Sequence, residues 1–176
     1  VIMNCAAYTD VARAESEEEL AYRINAEAVA NMAEAARRKG AVLIHVSTDY
    51  VFDGMSGVPY KEDAQTSPVS AYGRTKLAGE QAVLNSGCRY LIFRIAWLYS
   101  RYGKNFVKTI YEKSTQVPVL KVVCDQVGTP TFAGDLVEFV MNVIDADMLD
   151  RQGIYNFTNE GVCSWYDLAC EICDMS

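Results

Sequence analysis

Short, continuous apolar runs alternate along this chain with longer stretches in which apolar residues recur every third or fourth position. Residues 1–7 (VIMNCAA), 41–46 (AVLIHV) and 89–97 (RYLIFRIAW) are runs of the first kind and predict buried strands. Between the first two, Leu20, Ile24, Ala28, Met32 and Ala35 fall at helical spacing up to Gly40. Ser16 followed by Glu19 matches a capping box at the start of that helix. The acidic residues Glu17, Glu18 and Glu19 and the basic Arg37, Arg38 and Lys39 complement the helix dipole and are expected to be structural.

A polar loop over 53–69 precedes a second helix, predicted from about Ser70 to Asn85 and ending near Gly87. Beyond the third strand the pattern predicts a helix over 105–114, a short strand over 119–124 and a loop, DQVGTPT, in which Gly128 and Pro130 supply turn chemistry. A helix over 133–145, a strand over 153–158 and a last helix capped by Ser164 follow. Strands that alternate with helices pair in parallel through right-handed crossovers, so the fold class is α/β. No internal repeat or low-complexity segment interrupts this order.

The composition narrows the function classes. The 176 residues are 51% hydrophobic and 22% charged, enough for one sizeable core and unlike a disordered chain. The formal net charge of −7, with no basic stripe, sets the chain against a phosphate backbone, so nucleic acid is not an expected partner. No apolar run approaches the ~20 residues of a membrane span and no basic-then-apolar leader opens the chain, so a cytoplasmic protein off the membrane is expected. The cysteines Cys5, Cys88, Cys124, Cys163, Cys170 and Cys173 sit within apolar patterns and are expected to be reduced core thiols. Cys170-x-x-Cys173 has redox or zinc spacing, but it lies in a helix and has no second pair. His45, the single histidine, lies mid-strand, so neither a metal site nor a Ser-His-Asp triad is expected.

Candidate chemistry gathers in residues 41–76. Ser47-Thr48-Asp49-Tyr50 follows directly on the second strand, at its carboxyl end, where open α/β sheets place their sites. Tyr72 and Lys76 are four residues apart and share one face of the next helix. A neighbouring ammonium lowers the pKa of a phenol from its usual ~10, making Tyr72 a tuned proton donor. Ser47 or Thr48 could hydrogen-bond the carbonyl oxygen that Tyr72 protonates. Tyr-x-x-x-Lys is common enough by chance to mean little alone; the hydroxyl pair at the strand end gives it weight.

This arrangement resembles the Ser/Thr, Tyr and Lys triad of the extended short-chain dehydrogenase/reductases. More narrowly, STDYVFDG, SAYGRTKLAGE, FRIAWLY and DQVGTPT resemble the dTDP-4-dehydrorhamnose reductase family, over nearly the whole chain. The resemblance implies a Rossmann-like parallel sheet with flanking helices and part of a small substrate-binding lobe. Residues 1–100 would be the later portion of the dinucleotide-binding domain, and 101–176 the remaining strands interleaved with the lobe. It implies NADPH or NADH as cofactor, a dTDP-sugar substrate reduced at C4, and a homo-oligomer. By residue, it assigns Thr48, Tyr72 and Lys76 to catalysis and Ala6, Ala7, Thr9, Ser47, Tyr72 and Lys76 to the cofactor. Thr48, Asp49, Trp97, Asn105 and Gln126 would contact substrate, with Trp97 expected beside Thr48. Arg94, a charge inside a predicted strand, must be paired and receives no role.

The glycine-rich turn on which such enzymes seat the pyrophosphate is absent from these 176 residues. With Val1 opening inside an apolar run, the chain is expected to be an excerpt lacking an N-terminal βαβαβ part. Its first strand is then expected to form an unpaired, association-prone edge. Two other functions fit the same residues: a nucleotide-sugar epimerase or dehydratase, in which Asp49 would be the acidic residue after the Thr, and a non-catalytic regulatory subunit.

Overall fold

A computed structural model describes residues 1–175. The chain folds as two compact units, Val1–Ile95 with Val143–Asn156, and Ala96–Asn142 with the remainder from Phe157.

The first unit is built on a four-stranded parallel sheet of β1 (Ile2–Asn4), β2 (Val42–Thr48), β3 (Arg89–Ile95) and β7 (Gly153–Asn156), which lie side by side in that order. The α/β class read from the alternation holds. β1 stops at Asn4 because the Asn4 side chain accepts from the Ala6 N–H (3.0 Å) and turns the chain out of the sheet. β2 runs on to Thr48, so Ser47 and Thr48 are the last residues of the strand. β1 is a sheet edge, and Met3 on it and Val1 just before it are exposed.

The helices of this unit are α1 (Val11–Ala14), α2 (Glu18–Tyr22) running through a π-helical turn (Arg23–Glu27) into α3 (Ala28–Lys39), and α4 (Ala71–Asn85). The expected capping box is not formed. Glu17, not Ser16, precedes α2, and Ser16 donates to the Arg13 carbonyl (3.0 Å). The acidic residues have tertiary partners: Glu17 accepts from Tyr8 (2.8 Å) and Arg13, and Glu18 takes both arms of Arg74 at 3.0 Å. The predicted apolar face is displaced by one residue. Leu20 is exposed, and the buried positions are Ala21, Asn25, Ala26, Val29, Ala33 and Ala36. The core of the unit joins Val29, Ala33 and Ala36 to Leu43, Val83, Cys88 and Ile92. Cys88 is the buried cysteine; Cys5, Cys124 and Cys170 are exposed, so the expectation of core thiols fails for them.

The second unit holds β4 (Leu98–Tyr99) paired with β6 (Thr131–Phe132), and β5 (Val127–Gly128) paired with β8 (Cys163–Ser164). Its helices are α5 (Phe106–Ser114), the start of α6 (Ala133–Asp145) and α7 (Trp165–Asp174), which carries the expected Ser164 cap as a full capping box with Asp167. Residues 119–124 form no strand. Val119 and Val123 are exposed while Leu120 and Val122 pack against Ile110, Ala169 and Ile172, so the alternation there marks a loop laid on α5 and α7. No helix among the described residues is long and apolar enough to cross a membrane.

Candidate active site

The site grows from the carboxyl end of β2. Thr48 ends the strand with extended backbone, and its hydroxyl accepts from the Tyr50 N–H (3.2 Å), capping a 3-10 turn over Asp49–Val51. The same hydroxyl donates to Asp49 (3.1 Å). This short turn brings the Tyr50 carbonyl against α4, at a point where only a glycine fits: a Cβ on Gly73 would lie 2.2 Å from that oxygen. Gly73 therefore sets Tyr72 beside the strand end. The Tyr72 ring meets Tyr50 edge-on, centroids 5.5 Å apart, and Thr48 is near enough to its phenol to act on its pKa.

The N-terminus of α4 is fastened in three ways. Ser70 caps the Gly73 N–H (3.1 Å), Glu15 accepts from the Ala71 N–H (2.7 Å), and Arg74 pairs with Glu18. A buried amide adds a fourth tie. Asn25, in the π-helical turn, donates to the Tyr8 carbonyl and the Thr75 hydroxyl (both 3.1 Å) and accepts from the Tyr8 N–H (2.8 Å). The loop after β1 is thereby locked to the tyrosine helix, and Tyr8 and Tyr72 pack on the same alanines, Ala14, Ala21 and Ala71. Sequence reading missed Asn25 because the apolar spacing set the buried face one residue away, at Ile24.

Lys76 is 2% exposed and donates its Nζ to the Val46 carbonyl (2.7 Å). Burial pulls its pKa down to about 8, against the attraction of Glu80. Tyr72 is pushed up to about 12, chiefly by burial, with Asp49 and Tyr50 adding to it and Thr48 opposing. The expected lowering of the phenol by the lysine is not seen: loss of solvation dominates and the ammonium points to the strand backbone. At neutral pH Tyr72 thus keeps its proton. Asp49 is raised to about 6 by burial, opposed by donors from Thr48 and the backbone.

Ser47 and Thr48 diverge, as consecutive strand residues do. Ser47 is buried and donates to Glu80 (2.5 Å), facing away from Thr48's partners. In the loop after β1, Ala6 and Thr9 are exposed and Ala7 is half-buried. His45 is fully buried, its Nδ1 3.0 Å from Asn4 Nδ2, and no group of three or more potential ligands that could hold a metal ion occurs among the described residues.

Within the second unit, Trp97 has left-handed backbone (φ 48°) and stacks on Trp165, centroids 3.5 Å apart. Asn105 spends its side chain on the α5 cap, accepting from the Lys108 N–H (3.1 Å) and donating to the Ser100 carbonyl (2.7 Å). Gln126 is exposed and offers its carbonyl to the Trp165 N–H (3.3 Å).

A parallel sheet with a hydroxyl at one strand end and a tyrosine and lysine one helical turn apart defines the extended short-chain dehydrogenase/reductase class. The family described as the RmlD substrate binding domain matches residues 1–176, and the chain belongs to that family. It is 41% identical to the dTDP-4-dehydrorhamnose reductase of Aggregatibacter actinomycetemcomitans, over 99% of this chain and 60% of that protein. It is 46% identical to a probable dTDP-4,6-dihydroxy-2-methyloxan-3-one 4-ketoreductase of Streptomyces antibioticus, over 98% of this chain and 58% of that protein. The crystal structure of the dTDP-4-dehydrorhamnose reductase of Bacillus anthracis in complex with NADP superposes with a TM-score of 0.94 at 42% identity, over 98% of this chain and 61% of that one. The chain thus spans about 60% of the length of the relatives it matches.

Proposed function

We propose that this chain is the part of an NAD(P)H-dependent reductase that protonates substrate, acting on the C4 ketone of dTDP-4-dehydro-L-rhamnose to give dTDP-L-rhamnose. The observation that carries the reading is that Gly73 packs α4 onto the turn after Thr48, setting Tyr72 by the end of β2 with Lys76 one turn further along α4. The names of the reductases it resembles support the substrate class.

Thr48 and Tyr72 bind the ketone oxygen together, and Tyr72, protonated at neutral pH, gives up its proton as negative charge grows on that oxygen. One donor of the Lys76 ammonium is held by Val46; two remain to hold a ribose and to stabilise the phenolate left behind. The exposed loop after β1, with Ala6, Ala7 and Thr9, lies at the carboxyl edge of the sheet and fits a dinucleotide. A bound nicotinamide dinucleotide supplies the hydride. Asp49, Trp97, Asn105 and Gln126 are proposed as substrate contacts by their match to the family's motifs. The reading places the protein in the cytoplasm as a homo-oligomer, which light scattering of the full-length protein tests.

The deciding experiment uses that full-length protein with the sugar nucleotide and NADPH. Steady, stoichiometric NADPH oxidation supports the reading, and Tyr72→Phe should lower kcat by about 10²–10⁴ while cofactor affinity holds. Retained turnover in Tyr72→Phe removes Tyr72 from the mechanism. The buried Asp49, raised to about 6, favours a second reading as a dehydratase, in which it exchanges a proton with substrate. That reading requires turnover without net NADPH oxidation.

A further inference from the structure

An arginine inside a buried strand needs a counter-charge, and Arg94 finds Glu80 on α4, two turns beyond Tyr72. Both are almost wholly buried, at 4% and 1% exposure. The pairing is a fork: Arg94 Nη2 donates to Glu80 Oε2 (2.7 Å) and Nε to Oε1 (3.0 Å). Neutralising Glu80 would need no more than that. The remaining arm, Nη1, reaches out to the Glu62 carbonyl (3.1 Å), in the loop between β2 and α4.

Register explains why this arm can reach. Ser47, Arg94 and Asn156 pair side by side across β2, β3 and β7, forming a polar row one residue short of Thr48. Ser47 donates to Glu80. Asn156 donates its side chain to the Tyr60 carbonyl (2.8 Å) and its backbone N–H to the Glu62 carboxylate (3.1 Å). The guanidinium also lies over the Phe52 ring, 5.0 Å from its centroid, and that ring stacks on Tyr60 at 4.4 Å. Residues 60–62 are therefore held at the carboxyl edge of the sheet by adjacent strands, and the guanidinium that grips them also grips the tyrosine helix.

Stability alone does not call for this design, since a buried ion pair is often replaced by apolar residues of similar volume at no loss. We infer that Arg94 is a positioning residue, which with Asn156 fixes residues 60–62 against the sheet edge so that the loop over 53–69 bounds the sugar end of the substrate site. This inference rests on the reductase reading for its kinetic consequence, but not for its structural one.

Two variants of the full-length protein test it. Arg94→Lys keeps a positive charge opposite Glu80 but lacks the fork that spans Glu80 and the Glu62 carbonyl together. Asn156→Ala, at an exposed position, removes the Tyr60 anchor without touching the buried pair. Losing one such hydrogen bond should speed amide exchange over 53–65 about tenfold in each variant and raise KM for the sugar nucleotide by a similar factor. The kcat and the KM for NADPH should stay within about twofold, since bonds to the reacting atoms are untouched. Unchanged exchange in the loop overturns the inference. So does a fall in kcat with KM for the sugar nucleotide unchanged, which would make the pair a helix anchor only. If Arg94→Lys does not fold, Asn156→Ala decides alone. If the parent protein oxidises no NADPH, the reductase reading fails, while the exchange measurement still judges the anchoring.

Discussion

Lys76 and Val46 are joined by a 2.7 Å hydrogen bond from the ammonium to a strand carbonyl, which ties the tyrosine helix to β2 two residues before Thr48. Burial holds this lysine near pKa 8, and Glu80 opposes the fall. Glu80→Gln removes that opposition, so Lys76 should lose its proton at lower pH. The alkaline limb of kcat/KM against pH should move down; an upward move or no move would mean that Glu80 does not act on Lys76.

His45 should make folding sensitive to acid. Burial, reinforced by the charge of Lys76, lowers its pKa from 6.5 to about 3. As pH falls from 6.5 toward 3, the unfolded chain takes up a proton that folded His45 refuses, so stability falls by up to ~1.4 kcal/mol per pH unit in that window. His45→Gln should flatten this limb in urea titrations between those pH values. An equally steep limb in the variant would assign the acid sensitivity elsewhere.

Asp49 should act in the opposite sense. Its folded pKa is about 6 against 3.8 unfolded, so between these values the folded state keeps a proton that the unfolded state has released. Stability then falls as pH rises through the window, and the cost is complete above it. Asp49→Asn should be more stable than the parent at pH 7 by about 1–3 kcal/mol, with the difference vanishing below pH ~4. A variant less stable at pH 7, by an amount independent of pH, would contradict the burial argument.

Gly73 should prove intolerant for reasons of contact rather than conformation. A methyl there meets the Tyr50 carbonyl oxygen, a backbone atom that cannot rotate away. Gly73→Ala should cost about 1–3 kcal/mol by overpacking and displace Tyr72, lowering turnover as well. Gly57→Ala, where a methyl meets nothing within 4 Å, is the control for the packing cost and should leave stability unchanged.

What could be read from the residues beforehand was local. Tyr72 and Lys76 stood out through helical spacing, and Thr48 through its place after an apolar run. Their helix was delimited correctly because Ser70 caps it. The buried face of the preceding helix was misjudged by one residue, from Leu20, Ile24, Ala28 and Met32 to Ala21, Asn25, Val29 and Ala33. Hydropathy favours the larger side chains, but α4 approaches so closely that Gly79 faces the Asn25 carbonyl and only small residues fit between. The partner of Arg94 was invisible for a different reason: Glu80 meets it only once β3 and α4 have packed, and no spacing within either element announces the pair. The same holds for the phenol, whose environment is set by burial and not by the cation four residues away.

The division of the chain into units also orders its synthesis. β7, the fourth strand of the first sheet, is separated from β3 by residues 96–152, of which 96–142 belong to the other unit. A nascent chain that has left the ribosome only as far as β3 exposes the flank of that strand, including the Arg94 row, until some sixty further residues emerge, a delay of seconds at the usual elongation rate of about 5–20 residues per second. Chaperone binding to arrested chains should therefore be strongest when synthesis is halted between β3 and β7, and fall once Asn156 is clear of the exit tunnel.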